Sequence, residues 1–213
     1  MAETTKVRHP IFARIYERMA PAFEAKGAAE HRTELLVGLV GRVIEVGAGT
    51  GLNFKHYPQT VTEVVALEPE PHLREVARAA ATEAPVPVTV VEGTADDLPA
   101  GEAAFDAGVA SLVLCSVPSQ PRALAELSRV IRPGGELRFY EHVLAEDPRW
   151  AARQHRMAPI WRRLGGGCNP DRDTGAAITA AGFATEHRRD LLFAPSWIAK
   201  LTAPHILGRA RRP

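Results

Sequence analysis

The 213 residues are 46% apolar and 24% charged, a length and composition that fit one domain better than two. Lysine and arginine together number 26 and acidic residues 25, so the net charge of +1 argues against a surface that binds nucleic acid. No run of about 18 apolar residues occurs, and scattered charges replace an apolar signal segment near the N-terminus, so we expect a cytoplasmic protein without membrane insertion.

The N-terminal part of the chain, residues 10–40, has apolar residues at a helical spacing that is interrupted near Pro21 and Gly27, which predicts two helices. Valine-rich runs then alternate with helix-like stretches. Strands are predicted at residues 42–46, 61–67, 86–91, 105–114 and 136–143, and helices at 71–83 and 121–131. This alternation is typical of an α/β fold with a doubly wound parallel sheet.

The regular pattern weakens after residue 143. Residues 147–164 form a basic stretch that contains tryptophan, and residues 172–181 predict a helix. Residues 183–191 and 204–211 predict two closing strands. We find no repeat and no interdomain linker, so we expect one domain over residues 1–213.

A glycine-rich turn follows the first predicted strand. It has the pattern Glu45-x-Gly47-x-Gly49-x-Gly51 and runs into a predicted helix. Glycines allow a tight turn and a close approach of the backbone to a ligand. The spacing differs from the G-x-G-x-x-G of dinucleotide sites, where a pyrophosphate sits on the helix N-terminus. It favours S-adenosylmethionine (SAM), which has no pyrophosphate, although a turn of this kind taken alone also fits an ordinary β–α connection.

The second predicted strand ends in Glu68 and Pro69, about 20 residues after the glycine turn. A carboxylate at the C-terminal end of this strand can accept hydrogen bonds from both ribose hydroxyls of a bound nucleoside. The alternative is a solvated charge at a strand end. The spacing favours the ribose role for Glu68.

The later strand ends extend this pattern, with residues 93–99 after the third strand and residues 104–106 and 108–112 along the fourth. Residues 42–143 as a whole resemble the Rossmann-like class of SAM-dependent methyltransferases. The resemblance implies a seven-stranded sheet that is mostly parallel, with an antiparallel last strand and preceding helices. It also implies SAM as cofactor and S-adenosylhomocysteine (SAH) as product. The core would be residues 42–143, with residues 1–41 as a helical cap and residues 144–213 on the acceptor side.

The cofactor-binding residues that follow from these motifs are Glu45, Gly47, Ala48, Gly49, Gly51, Glu68, Pro69, Ala95, Asp96, Ser111 and Leu112. Similar proteins often have an aspartate where Thr94 stands, so Asp96 or backbone carbonyls would accept from the adenine amino group. Tyr16 is a further candidate that would cap the cofactor from the first helix; packing against Phe12 and Met19 is the equal alternative.

A closer likeness lies in residues 111–117, 126–135, 141–143, 159–161, 167–169, 195–197 and 204–208. These resemble the methyltransferase-like seven family of alkyl thiol S-methyltransferases, which implies methyl transfer to a small-molecule thiol. The hydrophobic N-terminal anchor of that family is missing, and the predicted helix pair stands in its place. Looser likenesses leave open an N-, O- or C-methyltransferase acting on a quinone-like, phenolic or amine metabolite, and a SAM-binding protein without catalysis.

Candidate acceptor-site residues follow the fifth predicted strand. His142 is the candidate base or acceptor-orienting group, with a hydrogen bond to a loop carbonyl as the equal alternative. Trp161 would wall an acceptor pocket, although a core tryptophan is the commoner case. Cys168 and Asn169 would bind the acceptor or serve a structural loop. Cys115 is expected to pack as a small apolar residue.

We expect no metal and no disulfide framework, because Cys115 and Cys168 stand far apart without a metal-binding spacing. Methyl transfer from a sulfonium is an in-line displacement, in which alignment of the acceptor and exclusion of water lower the barrier without a metal.

Overall fold

Seven strands form one sheet in a computed structural model that describes residues 9–213. Residues 1–8 of the predicted helical cap lie outside the described residues. The strands are β1 (Gly41–Val46), β2 (Val61–Leu67), β3 (Val88–Val91), β4 (Phe105–Ser111), β5 (Ile131–His142), β6 (Ala184–Leu192) and β7 (Pro204–Arg211). Their order in the sheet is β3-β2-β1-β4-β5-β7-β6. Strands β1 to β5 pair in parallel, and β7 pairs antiparallel with both β5 and β6. The predicted sheet is therefore confirmed.

Helices cover both faces of this sheet. They are α1 (Pro10–Phe23), α2 (Ala29–Leu36), α3 (Pro71–Ala81), α4 (Gln120–Val130), α5 (Pro148–Leu164) and α6 (Thr174–Ala180). Leu124 and Leu127 of α4 and Ile178 of α6 belong to one apolar core, and Leu35 and Leu36 of α2 belong to the other. Burial of these apolar faces on the two sides of a twisted parallel sheet drives this layered arrangement. None of the described helices is both long and apolar enough to cross a membrane.

The N-terminal helices are interrupted at Gly27, as predicted, but not at Pro21. Helix α1 continues through Pro21 into a π-helical turn, Glu24–Ala28, before α2 begins. The chain turns at Gly27, whose φ of 116° is open only to glycine at low cost. Pro21 lies in the last turn of α1, where it removes one hydrogen bond to the preceding turn but does not end the helix.

The expected helix after the glycine turn is wrong. Only a short 3₁₀ helix, Phe54–His56, follows it. Pro58 comes two residues later and holds Tyr57 in extended backbone, which ends the helical turn there. The side chains of Asn53 and Tyr57 point instead to Glu45 of β1.

Residues 147–164 are more regular than their sequence indicates. They form α5, whose first turn is capped by the Asp147 carboxylate accepting from Trp150 N. The buried Gln154 fixes this helix against the end of β5, donating to Val143 O and accepting from Ala145 N. The pattern was hard to recognise because α5 buries few of its residues. The other predicted elements differ from those observed only at their ends; β4, for example, stops at Ser111.

Candidate active site

The glycine turn lies at the C-terminal end of β1, at the edge where β2, β4 and β5 also end. Gly47, Gly49 and Gly51 all have positive φ angles, of 68°, 58° and 80°. A Cβ atom on Gly47 would lie 2.4 Å from the Val113 side chain, and one on Gly51 would lie 2.8 Å from the Phe54 ring. The turn therefore needs glycine both for its backbone angles and for its close packing.

The Glu68 carboxylate lies across this turn. Its Oε2 accepts from Gly49 N at 2.8 Å and its Oε1 accepts from Glu70 N at 2.9 Å. Burial raises the pKa of Glu68 to about 7, although these two backbone hydrogen bonds act in the opposite direction. Each oxygen keeps a second lone-pair position for a hydroxyl donor. This carboxylate is therefore not the solvated strand-end charge of the alternative interpretation.

These residues fit SAM. The turn leaves a buried polar atom, Thr50 Oγ1, without a hydrogen-bond partner among the described residues. Such an atom is costly unless a ligand or water satisfies it. With the free acceptor positions of Glu68 and the backbone of the half-buried Gly47 and Gly49, the edge offers a polar lining for a ribose and an amino-acid group.

A network of buried polar groups connects the turn to α2, β1 and β4. Arg32 of α2 donates to Glu24 at 3.0 Å, to Asn53 Oδ1 at 2.8 Å and to Ser111 Oγ at 3.1 Å. Asn53 in turn donates to Glu45, whose other oxygen accepts from Tyr57 at 2.6 Å. Burial raises the pKa of Glu45 to about 7. Sequence reasoning missed Arg32, because a single arginine in a predicted helix gives no signal of such a role.

Several predicted cofactor residues surround this edge. Tyr16 stacks on Phe12 at 5.8 Å between ring centroids, and its ring lies 3.5 Å from the Cβ position of Gly49. Packing against Phe12 is confirmed, and the position beside the turn also suits the predicted cap. Leu112 has a φ of 58°, a strained value for a residue with a branched side chain, and donates its N–H to Tyr140 O.

The remaining predicted cofactor residues lie at or near the same strand ends. Ala48 donates its N–H to Leu67 O, and Pro69 is half-buried next to Glu68. Beyond β3, Ala95 is buried and Asp96 half-buried. Their contacts with the cofactor stay predictions.

The acceptor-side residues come together around His142, at the end of β5. Its Nδ1 lies 3.5 Å from the Cys115 Sγ and 3.5 Å from the Cys168 Sγ. The two sulfur atoms and the imidazole nitrogen all lie within 4.8 Å of one another. Cys115 is fully buried, as expected of a small apolar residue, and its sulfur also faces His142. The alternative of a loop carbonyl is wrong for Nδ1 of His142, which faces the two sulfurs.

The backbone around these sulfurs is fixed by hydrogen bonds. The buried Glu141 carboxylate accepts from Val113 N, Leu114 N and Cys115 N. Asn169 donates its backbone N–H and its side-chain amide to Cys115 O. Arg172 donates to the carbonyl oxygens of Leu114, Cys115 and Val117. These contacts hold the segment after β4 against the loop after α5, and they use the Asn169 side chain for structure.

The thiols of Cys115 and Cys168 differ in pKa. The hydrogen bond from Cys115, with the positive charge of His142, brings the pKa of Cys168 well below the usual thiol range. The same hydrogen bond, with burial, raises the pKa of Cys115. Burial lowers the pKa of His142, but the interactions with Cys168 and Glu141 together outweigh burial and the net direction is upward. Of the two cysteines, Cys168 is thus the one whose environment favours the thiolate.

Trp161 does not belong to either apolar core. It is half-buried at the C-terminal end of α5, with its indole Nε1 only 2.9 Å from the Cβ position of Gly165. The core role that we expected as the commoner case is wrong, and the acceptor-wall role stays a prediction. His205 of β7, which lies in the motif at residues 204–208, stacks on Tyr140 at 5.1 Å and lies 4.5 Å from the His142 ring.

Comparisons with known proteins agree with this geometry. Residues 44–139 match the methyltransferase domain family. The human thiol S-methyltransferase TMT1A is 36% identical over 172 residues, covering 79% of this chain and 69% of the relative. Human TMT1B is 34% identical and covers 82% of this chain and 73% of the relative.

The fold has close counterparts among solved structures. A SAM-dependent methyltransferase from Thermotoga maritima has a TM-score of 0.70 and 21% identity, covering 95% of this chain and 97% of that one. The sequence matches and the fold comparison thus agree with the glycine turn, Glu68 and the strand order of this chain. The chain belongs to the family of SAM-dependent methyltransferases that includes the human thiol S-methyltransferases TMT1A and TMT1B.

Proposed function

We propose that this enzyme transfers the methyl group of SAM to the sulfur of a small-molecule thiol. The observation that carries the proposal is the cluster of Cys115, His142 and Cys168 at the ends of β4 and β5. Val113 connects the cluster to the cofactor turn, since it touches Gly47 and lies two residues before Cys115. An acceptor at the cluster therefore lies beside the proposed cofactor site. The names of the human relatives support the same acceptor class.

The proposed roles of the residues divide between the two sides. The backbone of residues 47–51 and the Glu68 carboxylate hold SAM, which supplies an electrophilic methyl group. His142 orients the acceptor sulfur, and Trp161 borders the acceptor. A thiol has an ordinary pKa of about 8.5, so moderate electrostatic help gives substantial thiolate at neutral pH. A phenol, with a pKa of about 10, needs more help.

Neither a quinone-like or amine acceptor nor a binding protein without catalysis is favoured by the described residues. Both cysteines of the cluster are buried, and Leu114 and Val117 are buried on the same segment as Cys115. We therefore propose a small, uncharged or weakly polar thiol as acceptor, and a cytoplasmic location as the sequence predicts.

The test is a panel of small thiols, phenols and amines incubated with the protein and SAM labelled in its methyl group. We expect labelled thioethers from thiols and no labelled product from the other classes. Mass spectrometry of the products identifies the methylated atom. Methylation of phenols or amines without any thiol product would overturn the proposal.

A further inference from the structure

We propose that Cys115, His142 and Cys168 bind a zinc ion and leave one coordination position open for the sulfur of the acceptor. The acceptor part of this inference rests on the proposed function; the metal site itself does not. Two sulfur atoms and one imidazole nitrogen are a donor set that Zn²⁺ prefers. The three side chains meet at one point, with Cys115 after β4, His142 at the end of β5 and Cys168 after α5.

The distances suit a metal with four ligands in tetrahedral positions. Zinc–sulfur bonds of about 2.3 Å and zinc–nitrogen bonds of about 2.0–2.1 Å place sulfur and nitrogen about 3.5 Å apart at a tetrahedral angle. Both sulfur–nitrogen distances to His142 are 3.5 Å. An ion can therefore enter between these atoms with little movement of the side chains.

The surroundings of the cluster are those of an ordered site. Cys115 and Cys168 are buried, and the hydrogen bonds of Glu141, Asn169 and Arg172 fix the backbone on both sides. Ordered partners around metal ligands are important for affinity. Two thiolates balance the charge of one Zn²⁺ ion, so a buried site of this composition carries no net charge.

Three protein ligands with a fourth open position are typical of catalytic zinc, whereas structural zinc has four protein ligands. A thiol acceptor that takes the open position loses its proton to solvent and forms a zinc–sulfur bond. In methyl transfer its sulfur then forms a bond to the methyl carbon, while the bond from that carbon to the SAM sulfonium breaks. The products are SAH and a neutral thioether, and a thioether is a weaker zinc ligand than a thiolate. The product therefore leaves the metal.

Cobalt(II) tests the metal site without any need for turnover. The protein is purified with a chelator and a phosphine reductant, so that its cysteines are reduced and no thiol competes, and is then titrated with Co²⁺ and with Zn²⁺. We expect one ion per chain, sulfur-to-cobalt charge-transfer absorption, and loss of that absorption when Zn²⁺ is added. Cys168→Ser and Cys115→Ser should weaken Zn²⁺ binding by more than about 100-fold.

Two controls separate a lost ligand from a lost fold. His187→Ala removes an exposed histidine of β6 and should leave metal binding unchanged. SAH binding, measured by calorimetry, should persist in the cysteine variants if they are folded. Absence of charge-transfer absorption in the wild type, or equal absorption in wild type and Cys168→Ser, would overturn the site, as would a disulfide between the two cysteines under these reducing conditions.

The open position has its own test. Addition of 2-mercaptoethanol to the cobalt protein should shift the charge-transfer band, because a third thiolate joins the metal. No shift would overturn the acceptor part of the proposal. Thiol methylation by metal-free protein would overturn the acceptor part of the zinc inference and leave the proposed function standing. A bound metal with no methylation of any thiol would overturn the proposed function and leave the metal site standing.

Discussion

Glu68 combines burial with two backbone hydrogen bonds. Its ordinary pKa of 4.5 rises to about 7 in the folded protein without cofactor. Between these values the folded state binds a proton that the unfolded chain has lost. Stability from this carboxyl is thus present at low pH and is lost as the pH rises through about 7. Ribose hydroxyls donate hydrogen bonds to the ionised Glu68 carboxylate and so favour its charged form over its protonated form. Bound cofactor therefore lowers the pKa that burial raises.

We therefore expect the affinity for SAH to rise as the pH increases through about 7. Glu68→Gln should weaken SAH binding by tenfold or more at alkaline pH, since a charge-assisted hydrogen bond contributes about 1.5–3 kcal/mol. The variant should also show little pH dependence. Calorimetry at several pH values measures both effects, with the exposed Glu75→Gln as control. A wild-type affinity that falls with rising pH would contradict the ribose role.

At the scale of elements, the glycine turn offers a test with a matched control. Gly47 and Gly38 have similar φ angles, of 68° and 77°. A Cβ on Gly47 would lie 2.4 Å from Val113, whereas nothing lies within 4 Å of one on Gly38. Alanine at either position has the same backbone strain, of roughly 1–2 kcal/mol. Only Gly47→Ala adds a collision.

We expect Gly47→Ala to lower the free energy of unfolding by about 1–3 kcal/mol more than Gly38→Ala does, because overpacking adds to strain. SAH affinity should fall in Gly47→Ala and stay near that of the wild type in Gly38→Ala. Urea unfolding and calorimetry give the two quantities. Equal losses in both variants would mean that the contact between the turn and Val113 is unimportant.

The strands and the turn were predictable because each has a local signal. Valine-rich runs fix β1, β2 and β3, and the spacing of glycines and Glu68 fixes the cofactor side. His142 and Cys168 were acceptor-side candidates, but their meeting with Cys115 has no local signal, since Cys115 follows β4, His142 ends β5 and Cys168 follows α5. Only the tertiary fold brings them together. For the same reason Arg32 was missed, as its partners lie on β4 and the connection after β1.

At the scale of the whole molecule, Arg172 joins the acceptor side to the cofactor half through the carbonyls of Leu114, Cys115 and Val117. We expect Arg172→Ala to lower the free energy of unfolding by about 1.5–3 kcal/mol, the range for hydrogen bonds to a charged group. Amide hydrogen exchange in residues 114–117 should accelerate. The exposed Arg156→Ala is the control. Unchanged exchange in residues 114–117 would show that other contacts suffice.

The position of β7 has a consequence for synthesis of the chain. Strand β7 follows β6 in sequence but lies between β5 and β6 in the sheet, and it is the partner of β6. While a ribosome still holds residues 204–211, the side of β5 that later pairs with β7 is open and β6 has no neighbour. Unpaired strand edges can pair with strands of other chains. We therefore expect nascent chains of this enzyme to depend most on chaperones in the interval between the emergence of β5 and the emergence of β7 from the ribosome.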